Sequence, residues 1–151
     1  MENKDIGLTH IAFAVKDLDA SIAFYQQFAD MKVIHRRGEK GSTARPVAWL
    51  SDMTRHFAIV LAEDPENTDT KLGPFGHLGV ACASKAAMDA KLTEARAAGV
   101  LRQEPTDSGA PVGYWAFLDD PDGNTLELSY GQEIGYVIDT TENGIFHFRP
   151  N

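Results

Sequence analysis

Cysteine is almost absent from this chain, in which Cys82 is the only one among 151 residues. A single cysteine forms no internal disulfide and no multi-cysteine metal site, so both a disulfide framework and a cysteine-based zinc centre are excluded. We interpret Cys82 as a small, buried apolar residue. Any metal ligands have to come from histidine and the carboxylates.

Positive charge and long apolar runs are also scarce. The formal net charge is -8 with a pI near 5.0, and no Lys/Arg block is present that could follow a row of phosphates. No run of about 18 apolar residues could cross a bilayer, and the first ten residues lack the apolar core of a signal peptide. We therefore expect a cytoplasmic protein with small-molecule partners, and neither nucleic acid nor a membrane among them. The length fits one domain or two small modules that share a core.

An internal repeat organises the sequence. Residues 10–33, HIAFAVKDLDASIAFYQQFADMKV, align without gaps on residues 77–100, HLGVACASKAAMDAKLTEARAAGV. Each copy opens with a histidine at the head of an alternating run, which predicts a strand. Each continues with helical spacing of apolar residues after a capping side chain, Asp17 or Asp19 in the first copy and Ser84 in the second, whose helix should stop at Gly99.

Short strand-like segments complete each copy: VAWLS and HFAIVLAE in the first, YWAFL and NTLELSY in the second. The predicted order is βαβββ, twice. We expect a first module over residues 6–64, a linker rich in Pro, Gly and acids over 65–76, a second module over 77–131 and a C-terminal tail over 132–151. The tail has weak strand signals, YVI and IFHF, and we leave it unassigned.

The repeat defines four equivalent strand positions: His10, Val60, His77 and Glu127. Successive side chains of a strand point to opposite faces, so each of the four shares its face with small residues while large apolar ones occupy the other. A curved sheet with this small-residue face turned inward would enclose a cavity. Two imidazoles and one carboxylate in such a cavity match the set that holds a divalent first-row metal and leaves positions open. The simpler readings are a surface histidine and a glutamate on the solvent side of an edge strand.

The segments LTHIAFAVKDLDASIAFY, GHLGVAC and FLDDPDGNTLELS resemble the vicinal oxygen chelate superfamily, the group of glyoxalases, bleomycin resistance proteins and extradiol dioxygenases. The resemblance covers about residues 6–131. It implies an α+β fold in which two βαβββ modules form a curved, partly closed mixed sheet around a central cavity. It also implies a homodimer whose site is completed across subunits. By motif match, the metal ligands are His10, His77 and Glu127.

Departures from the better-known members narrow the chemistry. Glyoxalase I enzymes supply a fourth ligand, a Glu, at the place of Val60, which cannot coordinate. Fosfomycin-modifying and extradiol enzymes carry a Tyr at the place of Phe117. Extradiol enzymes also use a second histidine for proton transfer, for which His56 is the nearest candidate, although a surface role suits its position near a turn better.

The sequence therefore predicts a metal-dependent enzyme that chelates adjacent oxygens of a small substrate, such as a catechol or hydroxy-ketone. Dioxygenase-like chemistry is slightly favoured over lyase or isomerase chemistry, with iron or manganese ahead of zinc or nickel. Trp115 and Phe117 are candidate substrate-binding residues, and Arg45 or Arg55 could meet an anionic group. The alternative is a metal-free protein that sequesters a drug or metabolite, as the bleomycin-resistance relatives do.

Overall fold

The computed structural model describes residues 5, 7–39 and 41–140. These residues form eight strands and three helices. In chain order they are β1 (His10–Val15), α1 (Leu18–Ala29), β2 (Lys32–Arg37), β3 (Val47–Ser51), β4 (Ala58–Glu63), β5 (His77–Ala81), α2 (Lys85–Ala97), β6 (Leu101–Asp107), β7 (Tyr114–Asp119), β8 (Thr125–Tyr130) and α3 (Ile134–Asp139).

The strands make two four-stranded sheets with the same topology, in the order β1-β4-β3-β2 and β5-β8-β7-β6. In the first sheet β1 runs parallel to β4, while β3 is antiparallel to both of its neighbours. A parallel pair needs a long crossover connection, which here includes α1. The predicted α+β class, with two βαβββ modules and mixed sheets that are not closed into a barrel, is confirmed. The predicted order also includes one strand directly after each of α1 and α2, whose position the sequence does not indicate. The structure has these strands as β2 and β6.

Helix α1 supplies the apolar cover of the first sheet. Asp17 caps its N-terminus by accepting a hydrogen bond from the Ala20 backbone N–H, as one of the two predicted candidates. Its buried face includes Leu18, Tyr25 and Phe28, and the helix packs on β3 and β4. Each such side chain stabilises the fold by roughly 1.5–3 kcal/mol through burial alone.

Helix α2 repeats this arrangement with smaller residues. Ser84 accepts a hydrogen bond from the Ala87 N–H, which confirms the predicted cap. The buried residues are Met88, Leu92 and Ala95, at the spacing that the sequence indicates. The helix ends at Ala97, just before Gly99, whose positive φ of 71° suits the left-handed position after a helix C-terminus.

The two faces of the strands differ as the alternation predicts. Leu61, Leu126 and Leu128 are fully buried, whereas Ile11 and Leu78, nearer the sheet margins, are half-buried. Cys82 is half-buried too, so its interpretation as a buried residue was wrong. It follows the last residue of β5, and its backbone N–H donates to the Ser129 carbonyl.

The chain divides into two compact units. The first contains the residues up to His77 and the segment Asp119–Thr125, and the second contains Leu78–Leu118 and the residues from Leu126 onward. The tail segment YVI belongs to a helix rather than a strand, and IFHF lies outside the described residues. None of the described helices has the length and apolarity that a bilayer crossing requires.

Candidate metal and substrate site

A large cavity lies on the open face of the first sheet. Its volume is about 1340 Å³, and β1, β3 and β4 all contribute to its wall. His10 stands at the first position of β1, lines this cavity and is solvent-exposed. Its Nδ1 lies 2.9 Å from the Thr9 hydroxyl. The predicted cavity-facing orientation of His10 is therefore present within the first module.

Val60 lines the same cavity. It pairs in register with Ala12 of β1 and with Trp49 of β3, which puts it on the face that carries His10. A branched alkyl side chain offers no lone pair to a cation. The first module thus brings a histidine to its open face, and the strand position equivalent to Glu127 brings no carboxylate.

Positively charged side chains line this cavity. Arg37, Arg45 and Arg55 line it, together with His56. His56 lies between β3 and β4, and its Nδ1 is 3.7 Å from Asp5 Oδ1. The exposed indole of Trp49 adds an aromatic wall and contacts the His35 ring, with 5.0 Å between the ring centroids.

His77 opens β5, and its ring is held by a backbone group. Nδ1 lies 2.9 Å from the Phe75 carbonyl oxygen. Because a carbonyl oxygen only accepts, Nδ1 carries the hydrogen, and Nε2 of a neutral ring is left with the lone pair. Histidines that bind metals almost always donate their other ring N–H in this way, since the hydrogen bond fixes both the tautomer and the ring orientation.

Glu127 lies in β8 and is only 8% exposed. Strand β8 is paired on both sides, with β5 and with β7, so the reading of Glu127 as the solvent side of an edge strand does not hold. The Gln132 side-chain amide donates to Glu127 Oε1 at 2.9 Å. On the same face by parity, the buried hydroxyl of Ser129 finds no hydrogen-bond partner within the described ranges.

The candidate substrate-binding residues Trp115 and Phe117 lie side by side on β7. Their ring centroids are 4.7 Å apart, and the Trp115 indole N–H donates to the Ser108 hydroxyl. The Arg102 guanidinium lies over the Phe117 ring, 5.5 Å from its centroid, which is within cation–π range. Both aromatic residues are half-buried.

The DDPDGN turn between β7 and β8 is more than a reversal of the chain. The Tyr25 hydroxyl donates to Asp120 Oδ2 at 2.9 Å, and the backbone N–H groups of Asp122 and Asn124 donate to Asp120 Oδ1. Burial raises the pKa of Asp120 above its usual range, against these hydrogen bonds. Burial and the neighbouring Asp120 carboxylate also raise the pKa of Tyr25, which keeps its proton for the hydrogen bond.

The donor set of the predicted triad fits a divalent cation in its chemistry. Two imidazoles and a carboxylate are suitable ligands, and His77 and Glu127 each have an atom engaged by a neighbouring group. Strands β5 and β8, which carry these two residues, are hydrogen-bonded neighbours. Within the described part of a single chain, no three His, Cys, Asp or Glu side chains are close enough to hold a metal together.

The sequence patterns do not single out several residues that lie near the cavity or contact the candidate site residues. Arg37 and Arg102 belong to β2 and β6, the strands without a clear alternating pattern. Trp49 reads as one apolar residue among others in VAWLS, and Gln132 lies beyond the last strand. The signal available for Arg37 was the cluster HRR after a helix, which equally fits a solvated edge.

Comparison with known proteins identifies the family. The model of the Glyoxalase/Bleomycin resistance protein/Dioxygenase superfamily matches residues 7–128. An uncharacterized protein of Pseudomonas aeruginosa is 42% identical over 130 residues, which cover 85% of this chain and 91% of that protein. A probable chloroplastic lactoylglutathione lyase of Arabidopsis thaliana is 30% identical over 133 residues, which cover 85% of this chain but only 37% of that longer protein.

Solved structures agree with the fold. The fosfomycin resistance protein FosX of Listeria monocytogenes, as a mutant complexed with Mn(II) and 1S,2S-dihydroxypropylphosphonic acid, has a TM-score of 0.66 at 21% identity, covering 89% of this chain and 99% of that one. A glyoxalase/bleomycin resistance protein/dioxygenase domain from Frankia sp. has a TM-score of 0.65 at 27% identity, covering 85% and 100%. From its sequence match and its paired βαβββ modules, the chain belongs to the glyoxalase/bleomycin resistance protein/dioxygenase superfamily.

Proposed function

We propose that this protein is a metal-dependent enzyme that binds two adjacent oxygens of a small substrate. Its metal ligands are His10, His77 and Glu127. The observation that carries the proposal is the pair of supporting hydrogen bonds, from Nδ1 of His77 to the Phe75 carbonyl and from Gln132 to Glu127. Such contacts orient metal ligands, since they fix the tautomer of a histidine and the direction of a carboxylate.

We infer that the ligands of one site come from two copies of the chain. In that arrangement His10 comes from the first module of one copy, and His77 and Glu127 come from the second module of the other. A closed two-fold dimer would then hold two equivalent sites.

The valine at position 60 favours one reaction class over the other. With three protein ligands instead of four, more positions stay open for substrate oxygens and for a second reactant. A divalent ion held there supplies Lewis-acid activation of the two chelated oxygens. Dioxygenase-like chemistry on a catechol or related diol, with iron or manganese, is favoured over the lactoylglutathione lyase activity for which the Arabidopsis relative is named.

Side chains of this protein would bind the substrate and transfer its protons. Trp115 and Phe117 present neighbouring aromatic rings, tilted by 44° to each other, that suit an apolar substrate body. His56 lines the cavity that holds His10, which makes it a candidate for moving a proton, although its side chain is 84% exposed. Zinc or nickel would serve the same ligands, since availability decides among these metals.

Elemental analysis of protein purified without added metal or chelator tests the proposal. Wild type should carry close to stoichiometric metal, and His77→Ala should carry less than about a tenth of that, because the loss of one of three ligands opens the site. The matched control is His35→Ala, which removes an exposed histidine of β2 and should leave the metal content unchanged. Wild-type protein that stays metal-free after incubation with iron(II), manganese, zinc and nickel would overturn the proposal. Oxygen uptake with catechols then tests the reaction class.

The cavity in the first module supports a second candidate, sequestration of a drug or metabolite without metal. A space of about 1340 Å³ bounded by Trp49 and Val60 exceeds what a small diol needs. A binding protein of this kind would show a ligand-induced rise in melting temperature in the presence of a chelator. The enzyme proposal expects chelator to abolish turnover.

A further inference from the structure

The cavity of the first module carries charge of the opposite sign to the chain as a whole. The protein has a formal net charge of -8, yet Arg37, Arg45 and Arg55 all line this one cavity. Asp5 is the carboxylate among the described lining residues, and it lies beside His56. We call the three arginines and the wall between them the arginine pocket. A cleft lined by one sign of charge and bounded by apolar walls concentrates ligands of the other sign.

The three arginine side chains make few strong ion pairs or hydrogen bonds with other described residues. The side chain of Arg37 makes no ion pair or hydrogen bond with any described residue. Arg55 contacts the Thr54 hydroxyl at 3.4 Å, a weak interaction between neutral and charged groups. Arg45 lies 3.2 Å from Asp64, but its side chain is 58% exposed, and exposed ion pairs of this kind contribute little. The pocket therefore retains uncompensated guanidinium groups.

The backbone geometry determines the positions of Arg37 and Arg45. Arg37 is the last residue of β2 and pairs in register with Val47, the first residue of β3. Gly38, directly after Arg37, has a φ of 69°, and a Cβ there would collide with the Arg45 backbone carbonyl. Only glycine tolerates both the positive φ and the lack of space for a Cβ. The close approach of Gly38 to Arg45 therefore keeps the backbones of Arg37 and Arg45 next to each other at the cavity wall.

We propose that the arginine pocket binds an oxyanion group of the substrate, a carboxylate or a phosphonate. Planar guanidinium forks recognise both groups by paired charge-assisted hydrogen bonds. His10 lines the same cavity, so the anionic end of the substrate would be anchored in the module that also contributes a metal ligand. This inference rests on the proposed function, since it names the class of substrate, an acidic diol or catechol, that the metal site would receive.

Binding to metal-free protein tests the proposal without relying on turnover. The probes are 3,4-dihydroxybenzoate, its neutral methyl ester and (3,4-dihydroxyphenyl)phosphonate, titrated calorimetrically in the presence of a chelator. At least one acid should bind about tenfold more tightly than the ester, because one charge-assisted interaction is worth about a factor of ten. The tighter acid identifies the oxyanion. The preference should shrink as salt rises.

Two neighbouring arginines of β2 provide a matched pair of variants. Arg37→Ala should reduce the preference for the acid to near unity, whereas Arg36→Ala should keep it, because Arg36 pairs with Asp19 and does not line the cavity. Arg37→Lys, which keeps the charge but loses the fork, should fall between them. Melting temperatures of all three variants confirm that each is folded.

The proposal is overturned if neither acid is preferred over the ester, whether all three probes bind or none does. It is also overturned if Arg36→Ala loses as much of the preference as Arg37→Ala. A protein that prefers the acid but never retains metal keeps the arginine pocket and refutes the metal-dependent function. A protein that retains metal through His77 without any preference for the acid refutes the arginine pocket alone.

Discussion

The open faces of the two modules differ far more than their backbones do. Both modules have the order βαβββ, the same sheet topology and a side-chain cap at the start of the helix. On the open face, the first module has His10, Val60 and a group of arginines, while the second has His77, Glu127 and a pair of neighbouring aromatic rings. The apolar pattern that faces the helix is what the fold needs, so the other face is free to acquire separate chemistry.

The corresponding turns show the same contrast. The segment between β3 and β4 exposes Arg55 and His56 to the cavity and is held by local hydrogen bonds of Ser51 and Asp52. The segment between β7 and β8 instead buries Asp120, which accepts hydrogen bonds from the chain around it. One turn is available for ligands and the other is part of the core of the first compact unit.

The largest effect is expected from mixing two inactive variants. His10→Ala and Glu127→Ala should each be metal-free, since each removes a ligand from every site. Co-expressed, they should recover about one metal ion per two chains, because one of the two sites in a mixed dimer then has all of its ligands. Metal content after separation by distinct affinity tags measures this. A folded mixed dimer that stays metal-free would show that the modules of two copies do not share the ligands.

Val60→Glu should remove the main chemical difference between the modules. A carboxylate at this position would give the first module the counterpart of Glu127, and a fourth ligand should tighten metal binding by about tenfold, or about 1.4 kcal/mol. Competition with a chromophoric chelator measures the affinity. Val60→Leu is the control for a change of size at the same place. If the two variants bind metal equally, position 60 does not face the metal.

Tyr25→Phe should destabilise the first unit by about 1–3 kcal/mol, because it leaves a buried oxygen of Asp120 without its donor. The control is Tyr114→Phe, which removes a hydroxyl that donates to the partly exposed Asp89 in the second unit and should cost under about 1 kcal/mol. Urea unfolding measures both. Equal losses would mean that burial gives the hydrogen bond to Asp120 no larger effect on stability than the partly exposed hydrogen bond to Asp89 has.

The helix caps should behave alike in the two modules. Asp17→Ala and Ser84→Ala each remove a side-chain acceptor of one backbone N–H, so each should cost about 1 kcal/mol. Thermal or urea unfolding of the two variants gives the comparison. A loss confined to one of them would show that its cap is replaced by another acceptor.

The pH dependence of stability should report the buried carboxyl of Asp120. Its folded-state pKa is raised by burial, so the folded protein binds this proton more tightly than the unfolded chain. The resulting contribution is complete below the unfolded pKa of about 3.9 and is lost as the pH rises through the folded pKa. The free energy of unfolding of wild type relative to Asp120→Asn should fall over this range. A difference that is flat or that rises with pH would contradict the assignment.

The sequence predicted most where a pattern has one physical meaning. Alternation after His10 and His77, the caps at Asp17 and Ser84 and the spacing of Met88, Leu92 and Ala95 each indicate one structure, and those elements are present. The strands β2 and β6 lack alternation because charged residues occupy them, so neither strand was located by its pattern. The tail segment YVI was ambiguous because three apolar residues fit a helix and a strand equally.

The candidate site was predictable only in part, for a related reason. The repeat places His10, Val60, His77 and Glu127 at equivalent positions, but it carries no information on the groups that hold them. The carbonyl of Phe75 belongs to the backbone and acts through the path of the chain, and the Gln132 side chain reaches Glu127 from beyond the end of β8, where no pattern indicates a contact. The arginine pocket likewise depends on Gly38 bringing Arg37 next to Arg45, which no spacing in the sequence reveals.

A crystal structure of the metal-loaded protein tests the central claim most directly, since that claim is a shared site with unequal ligands from the two modules. We expect one divalent ion bound by Nε2 of His77, a carboxylate oxygen of Glu127 and a ring nitrogen of His10, with Val60 near the ion and not bound to it. Ligand distances should be about 2.0–2.3 Å. An ion bound elsewhere, or one that lacks Glu127, would contradict the account.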